Sequence, residues 1–65
     1  MIDKEEEKIE KILDALEKKY NYYTDLGCKL LEKDNLQGSQ LHYAEASAFG
    51  RAKWIVEDIW YERED

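Results

Sequence analysis

Proline is absent from this chain, and only three glycines, Gly27, Gly38 and Gly50, are available to interrupt a helix. So few breakers exclude architectures that turn often and favour long uninterrupted helices. One cysteine, Cys28, excludes an internal disulfide, and one histidine, His42, excludes the ordinary Cys/His zinc frameworks that rescue small domains. No apolar run approaches the ~20 residues a membrane helix needs, so no membrane association is expected. Cationic side chains are also scarce. Ten Lys and Arg stand against sixteen Asp and Glu, a net charge of −6 that argues against direct binding to nucleic acid, where phosphate contacts depend on Lys and Arg. The first residues, Met1 to Glu7, carry neither the basic nor the apolar region of a secretory signal, so a cytoplasmic location is expected.

What is present points to a folded helical protein. A hydrophobic fraction of 43% that includes eight aromatic residues is too rich for a disordered chain. At 65 residues the chain is one domain, short enough that its own core gives little stability, and self-association is the remaining support. The segment Asp34-Asn35-Leu36-Gln37-Gly38-Ser39 alone combines several breaker signals. It divides the chain into a first helix over about residues 3–34, a turn over about 35–38 and a second helix over about 39–62. Asp3 with Glu6 fits a capping pair for the first helix, where Glu5, Glu6 and Glu7 also suit the positive end of the helix dipole. Ser39 is the expected N-cap of the second.

At 100° per residue, Ile2, Ile9, Ile12, Leu13, Leu16, Tyr20, Tyr23, Leu26, Leu30 and Leu31 form one stripe along the first helix. The second helix has two apolar faces. Leu41, Ala44, Ala48, Ala52, Ile55, Val56 and Ile59, with Phe49 and Trp60 at the edge, are expected to meet the first helix, the alanines allowing close approach. Tyr43, Ser47, Gly50, Trp54 and Tyr61 lie nearly opposite, with Arg51 beside them. The first helix is expected to outrun the second by about eight residues, leaving Ile2 and Ile9 for another subunit to cover. The fold class that follows is all-α, an antiparallel helical hairpin assembling as a homodimeric four-helix bundle.

Several residues invite chemistry. Glu45 falls on the expected core face between Ala52 and Val56, where a carboxylate needs a partner: a tyrosine hydroxyl, Lys29, or a group across a dimer interface. His42 and Glu45, three apart, share a helix side, but one such pair in reversed order does not make a di-iron site, and no metal is expected. Cys28 and His42 could approach across the turn, yet no third orienting group accompanies them, so no catalysis and no cofactor are expected. The aromatic stripe of Tyr43, Ser47, Gly50, Arg51, Trp54 and Tyr61 has the composition of binding hot spots. It is either a self-association seam or the surface for another partner. Glu5, Glu6, Glu7, Glu57, Asp58 and Glu62 belong to chain ends that a hairpin brings together, which gives one acidic pole able to steer the molecule to a basic patch on a protein partner.

The functional expectation is a non-catalytic binding protein that occupies a partner's surface. By analogy of size and charge alone, small acidic phage and mobile-element accessory proteins that inhibit host or defence machinery are the comparison. A helical oligomer that sequesters or senses a stacked aromatic ligand, and a purely structural self-assembling subunit, are the alternatives.

Overall fold

The computed structural model describes residues 4–62, which form two α-helices, α1 (Lys4–Glu32) and α2 (Leu36–Glu62), folded into a hairpin. Ile2 and Asp3, invoked above for the stripe and the first cap, lie outside the described residues. The connection is tighter than the breaker signals imply. The Asn35 amide donates to the Leu30 carbonyl at 2.9 Å and the Asp34 amide to that of Leu31 at 3.1 Å, the paired bonds of a Schellman ending. Asp34 takes the left-handed conformation this ending needs (φ 59°), a role in which Asp is tolerated where Gly is usual.

α2 therefore starts three residues before the expected Ser39. Asn35 is its cap: the Gly38 amide donates to Asn35 Oδ1 at 2.9 Å. A Cβ on Gly38 would sit 2.9 Å from the Asn35 side chain, so this glycine makes room for the cap rather than breaking the chain. Ser39 is buried inside the helix instead, and its hydroxyl donates to the Gly27 carbonyl of α1 at 2.8 Å. The helices are 29 and 27 residues long, so among the described residues there is no eight-residue overhang, and Ile9 is half-buried.

The register is set by contacts along the seam. A Cβ on Gly27 would lie 2.9 Å from the Tyr43 ring, and one on Gly50 3.2 Å from the Tyr20 ring. Glu17 and Lys53 form a cross-helix ion pair at 3.7 Å. On α1 the half-buried Ile9, Leu13, Leu16, Tyr23, Leu26 and Leu30 lie on the expected stripe, while Ile12, Tyr20 and Leu31 stay exposed. α2 is rotated relative to expectation. Its seam runs through Ser39, Ala46, Lys53 and Trp60, flanked by His42, Tyr43, Phe49, Gly50, Val56 and Glu57. Leu41, Ala44, Ala48, Ile55 and Ile59, expected to face α1, are exposed. The physical reason is the close approach at Gly27 and Ala46, which the small-residue line through 39 and 46 permits and the bulkier line through 41, 55 and 59 does not.

The hairpin has two broad sides. Tyr23 stacks on Phe49, with centroids 5.5 Å apart, and on His42 at 6.0 Å, which marks one side. Helical spacing from these anchors puts Ile12, Leu16, Lys19, Leu26 and Leu30 of α1 there, with Glu45, Ala52, Val56 and Ile59 of α2. Leu41, Ala48 and Ile55 form its rim. This is the apolar face. The opposite side holds Tyr20, Thr24, Tyr43, Ser47, Gly50 and Trp54.

Gly27→Ala tests the seam. In a helix the change alone favours stability by about 1 kcal/mol, but a methyl against the Tyr43 ring overpacks the contact by about 1–3 kcal/mol. Urea unfolding should show Gly27→Ala less stable than the parent, yet stabilising by about 1 kcal/mol when introduced into Tyr43→Ala. A stabilising effect in the parent background would mean that the ring does not limit helix approach.

Candidate functional site

On the side away from the apolar face, the two helices enclose an open groove of about 510 Å³, lined by Tyr20, Thr24, Tyr43, Ala46, Ser47, Gly50, Arg51 and Trp54. It continues toward the open end of the hairpin between Glu17, Asn21, Lys53 and Glu57, again sharing Tyr20, Gly50 and Trp54. The floor exists because Ala46 and Gly50 are small where Tyr43 and Trp54 on the same helix are large. Trp54 forms a wall and is 67% exposed, an unusual position for so large an apolar side chain. Arg51 donates through Nη2 to the Ser47 hydroxyl at 3.4 Å, a long contact. No ion pair engages Arg51 among the described residues, so its guanidinium is available at the rim.

Five of the six residues of the aromatic stripe, Tyr43, Ser47, Gly50, Arg51 and Trp54, thus line one groove. Tyr61 is exposed and lies outside it. The α1 contributors Tyr20 and Thr24 were missed, because the hydrophobic stripe assigns Tyr20 wholly to the core and a lone Thr carries no periodic signal. Compared with known proteins, this chain matches no family model, no curated protein and no solved structure.

At the closed end of the groove, hydrogen bonding with the Cys28 thiol is the main influence on the Tyr43 hydroxyl. It raises the tyrosine pKa above its ordinary value, with burial and the charge of a Cys28 thiolate adding and the Ser39 hydroxyl opposing. Tyr43 is therefore a neutral phenol throughout the physiological range. Cys28 and His42 are not brought together: His42 Nδ1 lies 2.8 Å from Glu45 Oε1, and its ring stacks on Tyr23 on the other side of the hairpin. His42 is thus the partner Glu45 requires, while Lys29 pairs with Asp25 at 3.1 Å. No group of three or more His, Cys, Asp or Glu able to hold a metal ion occurs among the described residues. Glu5, Glu6 and Glu7 are exposed in the first turn of α1, and Asp58 and Glu62 are exposed near the end of α2, at the same pole of the hairpin. Glu57 departs from the expected acidic pole, for it is half-buried and lines the groove beside Lys53.

Because the folded chain holds the Tyr43 proton more tightly than the unfolded chain does, this group's contribution to stability is complete below ~10, the ordinary tyrosine pKa, and is lost as the pH rises through its folded value. Ultraviolet titration should resolve a tyrosine step above the ordinary tyrosine range. Tyr43→Phe should remove that step and Cys28→Ala should move it down. Identical titration curves for parent and Cys28→Ala would show that the thiol does not act on Tyr43.

Proposed function

We propose that this chain is a non-catalytic binding protein that works as a homodimeric four-helix bundle and engages a protein partner through the aromatic groove. The observation that carries the reading is the exposed Trp54 beside Arg51, whose guanidinium forms no ion pair among the described residues, over a floor of Ala46 and Gly50. Trp, Tyr and Arg around a shallow hollow are the side chains that anchor protein interfaces when water is excluded from them. A small-molecule site fits less well, since such sites bury most of the ligand and this groove is open along its length. The acidic pole adds a long-range term: it attracts a partner with a basic patch and speeds encounter without adding much affinity.

Affinity capture from the native host, with the parent chain and Trp54→Ala as parallel baits, tests the reading. The expected outcome is a protein captured by the parent and lost with Trp54→Ala, whose affinity falls by about 2 kcal/mol or more while its helix content and melting temperature stay unchanged. Equal capture by both baits, or recovery of nothing but the chain itself, would contradict a partner surface in the groove.

A further inference from the structure

The hairpin is a single layer of two helices, 49 × 20 × 10 Å, and among its described residues only Gly27, Ser39 and Ala46 are buried. Domains are normally built from at least two packed layers, and here no large apolar side chain is fully enclosed. The accessible surface is 5436 Å². A compact monomer of this mass would expose ~4,400 Å², so the excess is ~1,000 Å², comparable to the ~800 Å² that each partner contributes to a standard interface. One side of the layer can supply it. Ile12, 46% exposed on α1, and Ile59, 59% exposed on α2, lie at the same level of the hairpin and continue the half-buried Leu16, Leu26, Phe49 and Val56.

Charge identifies what covers this face. The molecule carries −6 overall, yet helical spacing places Glu5, Lys8 and Lys19 of α1 and Glu45 of α2 on the apolar face, two charges of each sign. Two like-charged copies can approach through such a face without opposed excess charge. A basic partner would find nothing there to read and would instead be drawn to the acidic pole. The opposite side offers no comparable run of aliphatic side chains, for its groove is lined by Tyr20, Tyr43 and Trp54 with Thr24, Ser47 and the charged Glu17, Arg51, Lys53 and Glu57.

We infer that a second copy of this chain covers the apolar face through Ile12, Leu16, Leu26, Phe49, Val56 and Ile59, leaving the aromatic groove outward on both sides of the dimer. The inference rests on the dimeric reading above and assigns the self-association seam to the face without Trp54. Equilibrium sedimentation of the parent, Ile12→Lys, Ile59→Lys and Trp54→Ala tests it. The parent and Trp54→Ala should sediment at twice 7.8 kDa. Each lysine variant should raise the dimer dissociation constant by at least ~tenfold, since a charge replaces a side chain that dimerisation desolvates.

Covalent side-chain footprinting of the parent, diluted across its dissociation range, provides a readout that needs no variant to fold. Ile12 and Ile59 should be protected when dimeric and labelled on dilution, with Trp54 labelled equally at both concentrations. A parent that is monomeric would overturn the dimeric reading and this inference together. A dimer that survives both lysine substitutions, or protects Trp54 and not Ile59, would overturn the face assignment alone.

Discussion

The absence of a side chain at Gly27 lets the Tyr43 ring and the Ser39 hydroxyl reach the backbone of α1, and the rotational setting of α2 follows from that contact. Once Tyr43 and Ser39 are turned inward, helical periodicity carries Ala46, Gly50, Lys53 and Trp60 along the seam. Leu41, Ile55 and Ile59 are then carried to the outside, and Trp54 to the rim of the groove. The same small residues that allow close approach also leave the hollow between the helices. Packing and candidate site therefore have a common origin.

A hairpin held this way has little interior. Its seam combines three small or polar buried residues with half-buried aromatics, one stacked cluster of Tyr23, Phe49 and His42, and the Glu17–Lys53 ion pair. The α1 pairs Glu7–Lys11, Asp14–Lys18 and Asp25–Lys29 are exposed and each add about 0.3–0.5 kcal/mol of helix stability. Such terms support the helices as helices but do not replace a core. The two sides of the layer are chemically different, apolar and nearly neutral on one and aromatic with polar groups on the other. On this division the proposed self-association and the proposed partner binding would use different residues.

Much of the fold was legible in the sequence. The lack of proline and the one cluster of breakers identify two helices, and the α1 stripe identifies Ile9, Leu13, Leu16, Tyr23, Leu26 and Leu30 as inward-leaning residues. The rotation of α2 was not legible, because its hydrophobicity is spread around the helix and its greasiest line runs through Leu41, Ile55 and Ile59. Hydrophobic patterning ranks faces by transfer free energy. In a two-helix layer the closest line is chosen by steric size instead, so Gly27, Ser39 and Ala46 decide. The turn was misplaced for a related reason: Gly38 is a breaker by type, but here it accommodates the Asn35 cap while Asp34 supplies the left-handed residue. The aromatic groove was legible as a stripe on α2. Its α1 wall, Tyr20 and Thr24, depended on a register that no local pattern encodes.

If a single helical layer needs a second to be stable, unfolding and dissociation of the parent chain are one process. The most direct measurement is its melting temperature as a function of protein concentration. The melting temperature should rise steadily over about a hundredfold increase in concentration, as mass action requires when the folded state is an assembly. A cooperative melt at the same temperature throughout that range, from a species that sediments at 7.8 kDa, would contradict it.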